Sequence, residues 1–401
     1  MAAASHRHRT FTPPAHQRDP NSRPRPVSAS ALASIEKQRR DFVRDLGPCR
    51  SGCEDLDSYV LLAGGFERGS VVGISAEDED GVGLGLQVLA CSLLDSAAQK
   101  VQVITPKPPS TIVVLLKNAM TAELKARGVS GSDEIAARRR DCLDRIMLSR
   151  VFDMDGLDEV LADLDATAAA AAPRGGKEEE ETIEIQSAEE IAPDNHSLPN
   201  RQVDNKNNGK STTTTASSTP DIVLITHFSS LLTSFFTQRD KSAAHVALRL
   251  LATRLRHLSR TLPSNPLILL LNSTDSDQQS SSTAYKSASS STDPTLRSVF
   301  NPAHHASTSY KANKPTFGLV FTQLLDLHLL CTRAPRHSRA ATSSLRAVTV
   351  VEVLLDEIGL WEGERGQRKR REQRWTIMAS RNGRMVSVPG SGRKKETQSD
   401  D

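Results

Sequence analysis

The chain is 401 residues long, enough for two or three average domains, but only 37% of it is hydrophobic and 4% aromatic, which excludes a uniformly packed globular chain of that size. A net charge of +3 is too near neutral to imply nucleic-acid binding by itself. Five scattered cysteines argue against a secreted disulfide framework, and no apolar run reaches the ~18 residues of a membrane span.

Residues 1–27 are rich in Pro, Arg, Ser and His and are expected to form a disordered arm. The arm has no apolar stretch of the secretory type, so a soluble intracellular protein is expected. It is acid-poor and contains arginines, which leaves a mitochondrial alternative. Residues 28–45 have helical spacing through Ala31, Leu32, Ile35, Phe42 and Val43, with Ser28 or Ser30 as cap. Cys49 and Cys53 have no second pair or nearby histidine at zinc spacing and read as free thiols. A strand is predicted over 71–75 and a helix over 84–98, with a glycine-bearing loop between them. A strand over 101–105 is stopped by Pro106, Pro108 and Pro109. Helices follow over 113–127 and 135–144, then a short strand over 145–152 and a helix over 157–165.

Residues 166–219 turn polar and include the acidic run 178–181, so a disordered insertion is expected there. Order returns with a strand over 221–226, a helix over 243–261 and a buried strand over 267–272. The Ser-rich segment 273–313 reads as a mobile loop. An apolar stretch over 317–331 and a strand over 347–355 follow. Segments 375–378 and 384–388 flank Asn382-Gly383, a strong hairpin dipeptide. Residues 391–401 read as a polar tail. Strands alternating with helices, then several late strands, indicate an α/β fold: a mostly parallel central sheet flanked by helices, with a late antiparallel extension. One core is expected over 46–165 and 220–390.

The segment SVVGISAEDEDGVGLGLQVLAC, residues 70–91, has the layout of a phosphate-binding loop: buried strand, glycines, helix. A working loop reads G-x-x-x-x-G-K-[ST], with the lysine on the β- and γ-phosphates and the hydroxyl on Mg²⁺. If Gly81 and Gly83 mark the turn, Leu84 stands at the lysine position and Gly85 at the hydroxyl position. Asp78 replaces the first glycine, and Glu77, Asp78, Glu79 and Asp80 put carboxylates where phosphates would dock. No lysine lies between Arg68 and Lys100, so no shift of register restores the motif.

Leu56-Asp57 followed by Gly64-Gly65-Phe66-Glu67-Arg68-Gly69-Ser70 resembles the segment that leads into the phosphate loop of RecA-like recombinases, including the eukaryotic strand-exchange recombinases and their paralogues. The strand over 221–226 with Phe228-Ser229-Ser230-Leu231-Leu232 resembles the second nucleotide motif, and the strand ending at Asn272 resembles one that precedes a DNA-facing loop. The likeness runs from Asp55 to Val388, apart from the two insertions. It implies a RecA-like core of phosphate-loop type. It also implies that Thr226 replaces the aspartate that orients Mg²⁺, and that Lys107 stands near the place of the water-activating glutamate. Phosphoryl transfer is positioning and charge neutralisation, so a chain with these losses reads as a non-catalytic subunit. It would have no obligatory cofactor and at most weak ATP binding through backbone amides.

The role implied by the resemblance is assistance to homologous recombination and DNA repair in the nucleus, through recombinase or paralogue partners and single-stranded DNA, with residues 28–45 as the partner-binding segment. The alternatives are an ATPase that uses Arg68, Lys100 or Lys107, and a scaffold unrelated to DNA. The basic run over 365–374, with Arg365, Arg368, Lys369, Arg370, Arg371 and Arg374, is the candidate for DNA phosphate contact or nuclear import. His304, His305 and His328 lack the carboxylates of a metal site apart from Asp326, and Asp326 with His328 reads as a satisfied core or interface pair. His227 has no evident nucleophile and reads as structural.

Overall fold

The structure, a computed structural model, describes residues 27–171, 219–276, 298, 313–335, 347–358 and 374–388. It divides into two units after Asp45. Helix α1 (Ala29–Leu46) supplies the described part of the first unit and contains no buried residue. Ser28 opens it, its Oγ accepting from Ala31 N at 3.2 Å. Arg39 and Arg40 hold the Glu36 carboxyl down at about 2.

The second unit begins with a lead-in that clasps itself. Cys49 and Phe66 exchange both backbone hydrogen bonds at 2.9 Å. Between them lies a π-helical turn, Leu56–Val60. Asp57 accepts from Ser51 N at 3.0 Å. A side chain at Gly65 would sit 2.7 Å from Cys49 O. The motif residues Leu56, Asp57 and Gly65 therefore have structural work in this chain.

Among the described residues ten strands form the sheet: β1 (Val71–Ala76), β2 (Val101–Thr105), β3 (Ile146–Arg150), β4 (Ile222–Ile225), β5 (Leu267–Ser276), β6 (Asn313–Pro315), β7 (Leu327–Pro335), β8 (Ala347–Asp356), β9 (Trp375–Arg381) and β10 (Arg384–Ser387). Their order is β10-β9-β8-β7-β1-β5-β4-β2-β3, with β6 paired to β5. All pairings from β3 across to β7 are parallel, and β8, β9 and β10 continue antiparallel. The hairpin at Asn382-Gly383 forms as its sequence predicts, both residues at positive φ (51° and 79°).

The helices are α2 (Asp78–Leu94), α3 (Pro109–Ala126), α4 (Ser132–Asp144), α5 (Met154–Ala171), α6 (Phe228–Gln238), α7 (Lys241–Thr261) and α8 (Gly318–Thr322). Strand residues alternate between two cores. Val72, Ile74, Leu267, Leu269 and Leu271 meet α2, α3 and the π turn. Val71, Ile268 and Leu270 meet α5, α6, α7 and α8. Burial on both faces is why the central strands are continuously apolar, and helix crossovers are what parallel strands require.

Several boundaries differ from expectation. Helix α5 runs to Ala171, beyond the expected end at 165, because its alanines sustain a helix whatever they pack against. Strand β5 runs to Ser276, past the expected loop start at 273, because β6 supplies its ladder partners: Thr274, Asp275 and Ser276 pair with Pro315, Lys314 and Asn313. Strand β3 is confined to Ile146–Arg150, the residues that β2 can pair. The segments 172–218, 359–373 and 389–401, residues 1–26 and most of the Ser-rich segment lie outside the described residues. The expectations of disorder placed on them lie there too.

Candidate functional site at the carboxyl edge of the parallel strands

Ligands of open parallel sheets bind beyond the carboxyl ends of the strands. In this chain that edge is built from polar strand-end residues that bond to one another. Ser75 closes on His328, Oγ to Nε2 at 2.9 Å, and Thr322 Oγ1 lies 3.1 Å from His328 Nδ1. Asn272 Nδ2 donates to Ser75 Oγ at 3.1 Å and to Thr316 O at 2.9 Å. Thr226 Oγ1 donates to Thr105 Oγ1 at 2.8 Å, and Thr105 Oγ1 also accepts from Lys107 N at 3.1 Å. These bonds tie β1 to β5 and β7, and β2 to β4. The ring of Phe321 packs edge-on against His328, centroids 5.2 Å apart.

The expected glycine loop is the main correction. Helix α2 starts at Asp78, six residues before the predicted start at Leu84, so Gly81, Gly83, Leu84 and Gly85 are all helical. None of the three glycines has positive φ. Two physical effects draw the helix forward. Asp80 stands in its first turn, where negative charge suits the helix dipole. Gly85 also lets the helix press onto the sheet, since a Cβ there would meet Leu271 Cδ1 at 2.9 Å and Leu224 Cδ1 at 3.2 Å. Leu84, at the lysine position, is 1% exposed in the core.

The start of α2 carries its own counter-charge. Arg333, from β7, reaches Glu77 Oε2 at 3.2 Å and lies 3.8 Å from Asp80 Oδ2. Thr349 Oγ1 donates to Asp80 Oδ2 at 3.2 Å. The cavity left at the edge, lined by Gly81, Val82, His227, Leu271, Asn272 and Ser273, is about 10 Å³. That is room for about one water, against roughly 300 Å³ or more for a small-molecule site.

The other candidates fall in different places. Asn272 and Thr226 do lie together on this edge, as strand-end residues; Thr226 is spent on Thr105, whereas Asn272 donates its amide to Ser75 and Thr316 and leaves its buried Oδ1 without a hydrogen-bond partner. Lys107 follows β2 on the same edge. Arg68 and Lys100 do not reach it. They stand at the opposite edge, where the Arg68 side chain, 3% exposed, pairs with Asp221 at 3.2 Å. Asp221 also accepts from Gln99 N and Lys100 N at 2.6 and 3.1 Å. Both residues stand at the amino ends of β1, β2 and β4, away from the carboxyl edge, and the Arg68 guanidinium is fastened there by Asp221.

Of the basic run, Arg374 alone is described, and it is a correction. Its guanidinium is buried, pairs with Asp356 and donates to Val60 O at 2.9 and 2.6 Å. It ties the late strands to the π turn and is closed to DNA. Arg365, Arg368, Lys369, Arg370 and Arg371 lie outside the described residues.

Asp326 and His328 are each satisfied, but not by each other. Asp326 accepts from Val71 N at 2.9 Å and pairs with Arg256 and Arg260 at 3.2 and 3.5 Å. His304 and His305 lie outside the described residues, and no metal-holding cluster occurs among those described. His227 adopts the left-handed conformation that turns β4 into α6. All five thiols are free and buried, and burial pushes those of Cys91 and Cys331 up to about 12.

Sequence reasoning missed Ser75, Thr105, Thr322 and Arg333. The available signal was a single polar residue ending each apolar strand. Chemically, Ser75 and His328 have the spacing of a nucleophile and its base, but both are fully buried and Nδ1 faces a threonine hydroxyl rather than a carboxylate. No substrate atom can reach them, so the pair is a latch between strands. No helix among the described residues is long and apolar enough to cross a membrane. No protein-family model matches the chain, and no curated protein sequence matches it.

Proposed function

We propose that this chain is a non-catalytic subunit, similar to the paralogues of eukaryotic RecA-like recombinases, that assists homologous recombination and DNA repair in the nucleus by binding recombinase or paralogue subunits and single-stranded DNA. The observation that carries the non-catalytic part is the carboxyl edge. A buried leucine stands at the lysine position, and the carboxylates of the chain itself, faced by Arg333, stand at the start of α2. A triphosphate there would meet the chain's own carboxylates and no lysine, which removes the neutralisation that phosphoryl transfer needs. The recombinase part rests on the order of the motifs along the chain and on their position at strand ends of one parallel sheet. The nuclear part rests on the basic run over 365–371.

The test is a titration of the full chain with fluorescent ATP, with and without Mg²⁺, followed by co-precipitation with purified recombinase and its paralogues and a salt series with single-stranded oligonucleotide. No saturable nucleotide binding, together with a stable recombinase complex and salt-sensitive DNA affinity, is the expected result. Tight Mg²⁺-dependent ATP binding would sink the non-catalytic reading. Failure to engage any recombinase subunit would sink the recombination role.

A further inference from the structure

The carboxyl edge is closed over its centre but not at its outer end. Strand β3 is the last strand of the sheet. Its final residue, Arg150, is the ladder partner of Thr105, and Val151 N donates to Thr105 O at 3.0 Å. Lys107 follows Thr105 closely, its backbone N donating to Thr105 Oγ1 at 3.1 Å. Lys107, Arg150 and Phe152 therefore share one corner of the edge, and all three are exposed. The larger opening elsewhere, the α7–α8 groove of about 290 Å³ that Arg249 also lines, has a floor of side chains already buried, Leu248, Ala252 and Leu324, and nothing shows what would cover it.

Phe152 is left outside by its neighbours. Val151 and Met154 enter the core shared with α5, α6 and α7. The ring between them is 71% exposed, the most exposed large apolar side chain among the described residues. Arg150 lies over it, the guanidinium carbon 4.6 Å from the ring centroid. A guanidinium held on a ring presents a planar stack rather than an apolar patch. Neither Arg150 nor Lys107 has an ion pair among the described residues. The carboxylates nearest in sequence are engaged elsewhere: Asp153 accepts from Gly156 N at 2.8 Å, and Asp155 pairs with Arg239. The corner thus combines a ring, a stacked guanidinium and an ammonium, with two positive charges unanswered.

We infer that this corner binds a nucleic-acid single strand, with one base stacked on Phe152 and the flanking phosphates on Arg150 and Lys107. Every base has a face to stack, and the two cations follow the backbone, so the contact is tolerant of sequence. A duplex is a poorer match, because its base faces are already stacked on one another. An acidic protein segment is also poorer. It would use the two charges but not the ring, which stands between Arg150 and Asp153 and lines neither of the cavities described above. The inference rests on the single-stranded DNA part of the proposed function and gives that strand a place among the described residues, which the buried Arg374 cannot supply.

The experiment uses the full chain and fluorescein-labelled oligothymidine, followed by anisotropy across a salt series. Saturable binding is expected. Phe152→Ala should weaken it roughly tenfold without changing the salt slope, since a stacked base releases no counterion. Lys107→Ala and Arg150→Ala should each lower the slope by about 1. Phe152→Trp should keep the affinity and Phe152→Leu should lose it, a contrast that misfolding does not produce. Full affinity in Phe152→Ala or Phe152→Leu would overturn the inference and leave the recombination reading standing. Equal binding of a duplex of the same length would do the same. Oligouridine bound more tightly than oligothymidine would make RNA the strand and overturn both the inference and the DNA part of that reading. So would the absence of any salt-sensitive binding by the unsubstituted chain.

Discussion

The carboxyl edge of the sheet and the α7–α8 groove are opposites. The edge is where a fold of this class ordinarily holds its ligand, and here it has shrunk to about 10 Å³ because strand-end side chains bond to one another. The groove is incidental to the fold and remains open at about 290 Å³. Their arginines differ in the same way. Arg333 is turned on carboxylates of the chain itself, whereas Arg249 has no ion pair among the described residues. The comparison teaches that the ligand edge of a parallel sheet can be filled by the chain's own side chains, neutral pairs such as Ser75–His328 beside the charged pairs of Arg333, while surface elsewhere stays open.

The strongest way to break the comparison is to restore the missing lysine. Leu84→Lys should destabilise the protein by at least about 4 kcal/mol, through lost apolar burial and an unpaired interior ammonium. It should not confer ATP binding. Urea denaturation and the fluorescent ATP titration read the two outcomes. A stable variant that binds ATP would mean the edge opens.

Arg374→Ala comes next, at about 3 kcal/mol, since the buried Val60 O would lose its donor and the partly buried Asp356 would lose its ion pair with this arginine. The variant separates a structural arginine from a DNA-binding one. A loss of DNA affinity at unchanged melting temperature would contradict the buried assignment.

A smaller effect comes from Asp57. Desolvation raises its carboxyl to about 6, against the opposing bonds from Ser51. The folded chain therefore holds this proton more tightly than the unfolded chain does. Stability should fall by roughly 2 kcal/mol as pH rises from about 4 to about 6, and the contribution should be level above that. Asp57→Asn should remove this part of the slope in denaturant melts across that range. The smallest effect belongs to Arg333→Ala, below about 1 kcal/mol, because the arginine is half exposed and its pairs with Glu77 and Asp80 are screened. If the variant gained affinity for ATP, the arginine would be a plug rather than a counter-charge.

Much of the architecture was legible from local pattern. The strand over 101–105 was read to the residue, and the Asn382-Gly383 hairpin formed as its dipeptide requires. Central strands were visible because burial on both faces demands continuous apolar runs. The site was less legible. The stretch around Gly81 and Gly83 supports a loop or a helix equally well in one dimension, and the choice depends on whether Gly85 has a sheet to press against. Arg374 reads as one of six basic residues in its run, yet it is interior because Asp356 and Val60 O converge on it from distant segments.

By itself the sequence determined the alternation of strands and helices, the absence of a lysine between Arg68 and Lys100, and the segments too polar to build a core. Those are properties of residue type and spacing, which local physics reads directly. Tertiary structure decided which polar residues are spent and which are free. Ser75 meets His328 across 253 positions, and Thr226 meets Thr105 across 121. Such pairings depend on which strands the fold makes neighbours, and no spacing along the chain encodes that.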